Sequence, residues 1–579
     1  MKKYSVIILA ILLISIFVMV GCASDTVLGT TTKSSSSSQN ITADDVTGNT
    51  TEIEIAEDNI TAEFSLVDEN GVAIEAVGDV YTITEAGTYT ASGKLTSGQI
   101  YINAPDLEVE LDLNNVSIAS SIVSPIYVED CDTFTLKVPK GTVNYIYDTR
   151  TTDYSDSTDD TVGDSAIFVL NGNLKINGKG TLTVTSNYNS GIHGKDNVTI
   201  KNVTLLVKAM DNGIKGNDKV TIEENPTIGI VCGNNGIRTS NSSLSSKGKQ
   251  QGYIYILGGT ITINSYGDGI DAAYAVEIGS STDDEGNTYT PTIDIYTNIY
   301  SSYSASSSVS TSSELSLAGP GGMGGPGSMG GGFTGGGFSG GTSKAAKAED
   351  SAKGIKANEY IKVTDGNIFT YTYDDGLHTN NDTLDTGTKA TAAIYIEGGT
   401  IKIKASDDGI HADGTLYVTG GTICVAESHE GLEGNIIDIS GGEITVYGDD
   451  DGVNASSKIL VSGGRLDVTV SGSGDTDGID SNGTITISGG TVITRGSNQE
   501  MAAPLDADGT ITISGGTVIV VGYFSSAIKY SGMTKTTSSS GTSSGTHTVT
   551  VGDATITYTN SSSYSGSVTV IASATATVK

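Results

Sequence analysis

Acidic residues in this sequence gather beside glycines. The residue before a glycine is Asp375, Asp408, Glu430, Asp451 and Asp477, and the one before that is Asp374, Asp407 and Asp450, with Asp211 earlier. Two positions past the glycine come Asp271, Glu433 and Asp480, with Asp413 and Asp508 nearby. Carboxylates stacked about 5 Å apart repel by roughly 1 kcal/mol per pair in water, and several-fold more when partly buried. Hard oxygen ligands in clusters of three or more are what Ca²⁺ takes, and an extracellular site works at millimolar calcium. The expected metal ligands are therefore Asp374, Asp375, Asp407, Asp408, Asp413, Glu430, Glu433, Asp450, Asp451, Asp477 and Asp480, with Ca²⁺ as the cofactor. The spacing is not that of an EF-hand loop. Asp-Asp-Gly is also plain turn chemistry with solvated carboxylates, and that is the competing reading.

A second column, the residue after the Ile or Leu that follows each glycine, changes sign along the chain. It reads His193, Lys215 and Arg238, then Lys356, His378 and His411, then Glu433, Asn454 and Asp480. Its basic members suit carboxylates of an acidic ligand, so Lys215, Arg238, Lys356 and His411 are the expected ligand-binding residues; the alternative for each is a solvated strand face. His378 and His411 fall on adjacent copies, as a transition-metal pair or as ordinary exposed imidazoles. No Ser-His-Asp arrangement, phosphate-binding loop or zinc signature can be placed, and no catalytic residue is assigned. Cys232 shares the parity of Ile228 and Ile230 and is expected in the core, whereas Cys424, between Ile423 and Val425, is expected to face outward as a free thiol.

These columns need an element that repeats. Glycine followed by Ile, Leu or Val recurs at Gly191, Gly213, Gly236, Gly269, Gly354, Gly376, Gly409, Gly431, Gly452 and Gly478, at spacings of 22, 23, 33, 85, 22, 33, 22, 21 and 26. Degenerate copies follow at Pro504-Leu505-Asp506 and Ala527-Ile528-Lys529. Between them lies a Gly-Gly block, as in Gly258-Gly259-Thr260-Ile261-Thr262-Ile263, again from Gly398, Gly420, Gly441, Gly463, Gly489 and Gly515. The blocks alternate apolar and polar, so one edge faces inward, and the Gly-Gly pairs supply positive φ at corners. A unit of about 22 residues is too short for a helix-containing repeat or a propeller blade of about 40. It fits one coil of a parallel β-helix, and about 14 coils from Ile126 to Ile528 would make a solenoid roughly 65 Å long.

The predicted layout is a lipoprotein signal peptide over 1-21, a Ser/Thr-rich tether over 22-50, an N-terminal β cap over 51-100, a parallel β-helix over 101-530 and a C-terminal β cap over 531-579. The solenoid carries a Ser/Gly/Met-rich insertion over 297-350, expected to sit on its flank. Lys2 and Lys3 precede an apolar run from Val6 to Val20 that is short for a membrane span, and Met19-Val20-Gly21-Cys22 resembles a lipobox, which makes Cys22 the expected lipidation site. Export and anchoring at the cell surface follow. The net charge of -36 becomes about -38 without Lys2 and Lys3, which excludes a nucleic-acid partner and electrostatic attachment to anionic lipid. A monomer that touches membrane only through its anchor is expected.

The repeats Asp407-Asp408-Gly409-Ile410-His411-Ala412-Asp413-Gly414 and Gly420-Gly421-Thr422-Ile423 resemble those of bacterial exported carbohydrate-binding domain proteins, as do Glu85-Ala86-Gly87-Thr88-Tyr89 and His429-Glu430-Gly431-Leu432-Glu433-Gly434. That family is built on a right-handed parallel β-helix similar to pectate lyases. The resemblance, from about Tyr81 to Tyr530, implies calcium held by turn carboxylates and binding of cellulose or acidic pectic polysaccharide. With no Trp, a neutral glucan would need exposed tyrosines such as Tyr188, Tyr266 or Tyr447 as stacking platforms. Non-catalytic binding is the leading expectation. A calcium-dependent polysaccharide lyase would need a Lys or Arg base beside the metal, and Lys215, Arg238 and Lys356 are absent from the densest acidic coils, 407 to 480. A surface adhesin or structural spacer is the third reading.

Overall fold

The computed structural model describes residues 58–151, 162–298, 351–381, 391–471, 474 and 476–579. The expected leader, Cys22, the tether and all of the 297-350 insertion beyond Asn298 lie outside the described residues. Within them the chain is all-β, and one 3₁₀ turn at Glu500–Ala502 is the sole helical element. No described helix is long and apolar enough to cross a membrane. One sheet gathers 38 strands, nearly all paired in parallel with the corresponding strand of the next repeat.

The repeat around Gly409 shows how the sequence dictates this. The strand Ile410–Val418 turns between Ala412 and Thr415 and is followed by Thr422–Glu427; the next repeat supplies Leu432–Ile439 and Glu443–Gly448. Ile410 pairs with Leu432, Leu416 with Ile437 and Ile423 with Ile444, so each repeat contributes to three parallel faces. These six side chains are buried, and their alternates point away from the core. Stacking like on like buries Ile and Val columns between neighbouring repeats, the arrangement expected of a quasi-one-dimensional protein.

Two glycine columns answer to two constraints. A Cβ on Gly409 would lie 2.5 Å from the Gly431 carbonyl oxygen and 2.6 Å from Val425 Cγ1, so the next repeat passes where a side chain would be. Gly421, second of its Gly-Gly pair, instead has φ +81, a conformation disfavoured for residues with a Cβ. The long interval after Gly269 leaves the stack continuous: Ile270 pairs with Ile355, Ala275 with Tyr360 and Thr292 with Asn367.

The N-terminal end departs from the expected boundary. Ser65–Asp68 lies antiparallel to Gly87–Leu95, as a cap would, but Val80–Ile83 and Gly87–Leu95 both pair in parallel with Gln99–Ser120. The parallel stack thus begins inside the segment read as the 51-100 cap, because those strands alternate like the repeats while lacking their glycine markers. At the other end Ser567–Ala572 pairs antiparallel with Thr517–Gly522 and Thr534–Ser538. A separate three-stranded sheet of Gly545–Val551, Ala554–Asn560 and Ala576–Val578 completes the cap. Its Val549 and Tyr558 pack on Ile493, Ile519 and Val521, the outward alternates of the last strands, so the cap covers a flank as well as the end.

Candidate functional site

The aspartate before a turn glycine has a structural task. Its Oδ1 accepts the backbone N–H of the matching residue one repeat on: Asp268 from Lys353 at 2.8 Å, Asp375 from Asp408 at 3.0 Å, Asp408 from Glu430 at 3.3 Å and Asp451 from Asp477 at 2.7 Å. Asp477 does the same for Ala503. A buried N–H that would otherwise go unpaired explains why an acceptor recurs here. The second carboxylate oxygen remains for other chemistry.

Among the described residues, four groups of side chains place ligand atoms within 4.8 Å of one another: Asp374, Asp375 and Asp407; Asp375, His378 and His411; Asp408, His411 and Glu433; and Asp477, Asp480 and Asp506. Asp413, Glu430, Asp450 and Asp451 fall in none of them. Asp413 Oδ1 lies 3.5 Å from His411 Nε2, Glu430 accepts from Asn454 Nδ2 at 3.1 Å, and Asp450 lies 3.7 Å from His429. Asp506 was not among the expected ligands. Its Leu505 neighbour pairs with Ile479 across the degenerate copy Pro504-Leu505-Asp506, which brings the carboxylate beside Asp480. That copy lacks the glycine that marks the others.

Electrostatics separate these groups. Lys353 stands where its neighbours carry an acid, and its Nζ lies 2.7 Å from both Asp374 and Asp375. Burial opposes its charge, but the two carboxylates hold it protonated above the usual lysine range. Burial also opposes ionisation of Asp375, yet His378 and Lys353 keep it well below the usual carboxylate range. For His411 burial favours the neutral ring; Asp408 and Glu433 outweigh it and lift the imidazole to about 10. Among the described residues no Lys, Arg or His forms an ion pair with Asp477 or Asp480. Burial, with neighbouring carboxylates including Asp451 and Asp506, lifts them to about 7 and about 6. Glu430 rises to about 7 through burial and then Glu433.

Two of the Lys and Arg members of the second column are spent on local partners. Arg238 Nε lies 3.4 Å from Asp271 and Lys356 Nζ 3.8 Å from Asp268, while burial lowers Lys215. His193 is buried, not solvated: Nδ1 lies 2.8 Å from Asp164 and Nε2 3.0 Å from Asn217. His378 is likewise buried. Cys424 is buried, against the expectation of an outward thiol; it sits in register between Lys402 and Thr445, where a short side chain is shaded. Cys232 is buried in the core as expected, and burial pushes its thiol up to about 12.

An aromatic array also emerges that sequence reasoning missed. Tyr253, Tyr255, Tyr274, Tyr360, Tyr395 and Tyr417, all half-buried, adjoin one another along one outer flank. Centroid separations run from 5.1 Å, for Tyr395 and Tyr417, to 6.5 Å, for Tyr253 and Tyr360. A polar pocket with Gln250, Tyr274, Asn358 and Glu359 in its wall lies beside it. The signal was the outward parity of Tyr253-Ile254-Tyr255-Ile256, visible only once register aligns it with Tyr360 and Tyr395. Tyr188, Tyr266 and Tyr447, the expected platforms, are half-buried and outside this array, with the Arg150 guanidinium 4.0 Å over the Tyr188 ring.

A family model described as carbohydrate-binding domain-containing protein matches residues 77–388 and 383–434. A carbohydrate-binding domain-containing protein of Acetivibrio thermocellus is 30% identical over 200 residues, covering 34% of this chain and 68% of that relative. The solved structure of a polysaccharide lyase-like protein from C. thermocellum, a gadolinium derivative, is 28% identical over 41% of this chain and 92% of that one, with a TM-score of 0.35. That score is too low to support a structural argument. The match of the family model over more than half of the sequence places this chain in the family of carbohydrate-binding domain-containing proteins.

Proposed function

We propose that this chain is an exported, non-catalytic polysaccharide-binding protein, anchored through Cys22, whose coils wind as a right-handed parallel β-helix and whose hold on an acidic polysaccharide depends on calcium. Family membership supports the polysaccharide. The observation that carries the calcium reading is the group of Asp477, Asp480 and Asp506, three carboxylates within 4.8 Å of one another and without a Lys, Arg or His ion pair among the described contacts. An all-oxygen donor set fits Ca²⁺, which fills its remaining positions with further oxygens, including those of a ligand. Asp374, Asp375 and Asp407 fit it less well, because Lys353 already neutralises two of the three. Bound calcium would supply the bridge between these side chains and uronate carboxylates. The protein's own residues align the polymer along the stack axis, where equivalent side chains recur at roughly the 4.8 Å strand spacing.

Binding is favoured over lyase chemistry by the state of the lysine beside the carboxylates. The lysine that touches an acidic cluster, Lys353, is held protonated by its two ion pairs, and a lyase base must be neutral. The deciding experiment is retention of the full chain on polygalacturonate and on cellulose, with calcium and with chelator, assaying the same tubes for unsaturated product. Calcium-dependent retention on polygalacturonate without product is expected, with Asp480→Asn/Asp506→Asn losing most of it. Product formation would make the protein a lyase, and absence of retention on either polymer would leave a structural role.

A further inference from the structure

Tyr274 stands where the tyrosine array meets the polar pocket, a cavity of about 270 Å³ that it lines. Tyr253 pairs with Ala275 and Ala275 with Tyr360, so a small residue separates two large ones on this face. Tyr274, one residue before Ala275, leans against both, with centroids 5.1 Å from Tyr253 and 6.1 Å from Tyr360. Tyr395 and Tyr417, at 6° between planes, and Tyr253 and Tyr255, at 12°, lie face to face and cover one another. Tyr274 instead meets Tyr253 at 59° and Tyr360 at 80°, and among the described rings no parallel partner lies over it. The other walls are polar. The interval of 33 residues from Gly236 to Gly269 is longer than most, and part of its surplus forms a loop closed by the Leu244–Gln250 bridge. A Cβ on Gly252 would lie 3.0 Å from Tyr274 Cβ, so this loop ends against the tyrosine. The loop gives Ser242 and Gln250 to the pocket, the next repeat gives Asn358 and Glu359, and the one after gives Asn381. Glu359 Oε1 accepts from Asn381 Nδ2 at 3.0 Å, which fixes the carboxylate, and Asn358 is exposed at the rim.

We propose that this pocket, with Tyr274 as its platform, is a second glycan site, which takes an uncharged pyranose chain with equatorial hydroxyls, a β-glucan or xylan, and needs no calcium. The C–H face of such a sugar packs on an aromatic ring, while its hydroxyls reach amide and carboxylate groups at the edge. The Glu359 carboxylate accepts from neutral hydroxyls and repels a uronate, so the pocket selects against the acidic polymer. It is also remote from the carboxylate group at Asp477, Asp480 and Asp506. Asp271, three residues before Tyr274, is followed along its column by Lys356, His378, His411, Glu433, Asn454 and Asp480. Six steps at the strand spacing put Asp480 about 30 Å away along the stack. Family membership supplies the class of ligand, but the site stands whether or not the protein retains polygalacturonate.

The test is calorimetric titration of the full chain, in chelator and again in calcium, with cellohexaose, xylohexaose and hexagalacturonate. Binding of at least one neutral sugar with the same affinity in both buffers is expected, and no binding of hexagalacturonate in chelator. Tyr274→Ala should weaken the neutral sugar at least about fivefold, while Tyr274→Phe, which keeps the ring, stays within about twofold of the parent. Asn358→Ala, at an exposed position whose replacement spares the core, should weaken it about threefold or more. Binding of neither neutral sugar, binding only with calcium, or equal affinities in Tyr274→Ala and Tyr274→Phe would overturn the proposal. Should Tyr274→Ala fail to fold, Asn358→Ala decides: weaker binding supports the pocket, and unchanged affinity removes it.

Discussion

Asp451 carries two demands at once, since its Oδ1 must accept the Asp477 N–H while the same column concentrates negative charge. Asparagine keeps the acceptor and removes the charge; alanine removes both. Asp451→Ala should cost about 1–3 kcal/mol by leaving a backbone donor unpaired, and Asp451→Asn should cost far less, read as thermal melts of the two variants in chelator. Equal losses would mean that charge, not the acceptor, matters at this position. Asp294 isolates the opposite case, a carboxylate raised by burial alone. Its folded pKa lies above its unfolded one, so its contribution to stability is present below the unfolded pKa and lost as pH rises through the folded one. Asp294→Asn is therefore expected to melt higher than the parent at pH 7 and to lose that advantage once the pH falls below the ordinary aspartate range. The acidic column was legible in the sequence as a repeated residue type. Its hydrogen-bonding task was not, because that depends on which N–H of the next repeat comes within reach.

At the level of strands, alternation and paired glycines give away the repeat, and Ile410, Leu416 and Ile423 face inward as their pattern requires. Boundaries are harder to read where the markers change. Val80–Ile83 already belongs to the parallel stack without a Gly-Ile signature, and Asp506 joins a carboxylate group from a copy whose glycine has become proline. The C-terminal cap adds a contact that no local pattern announces. Arg495, 1% exposed, reaches Asn560 Oδ1 at 3.0 Å and Asp467 Oδ1 at 2.5 Å, joining the last repeats to the cap. Arg495→Ala leaves Asn560 and Asp467 without this donor, while Arg465 still pairs with Asp467 at 2.6 Å, and should cost about 1–3 kcal/mol. Hydrogen exchange should then quicken across Gly545–Val551 and Ala554–Asn560 before it quickens in the stack. Uniform acceleration would show that cap and stack open as one unit.

Across the whole molecule, the second column is basic or imidazole from His193 to His411, interrupted at Asp271, and acidic or neutral from Glu433 to Asp480, so the flank changes sign along its length. Composition alone gave a net charge and could not reveal this polarity, because it arises only when repeats align in register. The direct pairing of Ile270 with Ile355 has a further consequence. The stretch of sequence between Thr297 and Ile355 can lengthen, shorten or change composition while Thr292–Thr297 and Ile355–Ala357 keep the same partners, and each doubling of a loop costs only about 0.6 kcal/mol in closure entropy. Inheritance can therefore edit the periphery of this protein as a text with removable parentheses, trying new passages between repeats while the sentence that holds the fold together reads on unchanged.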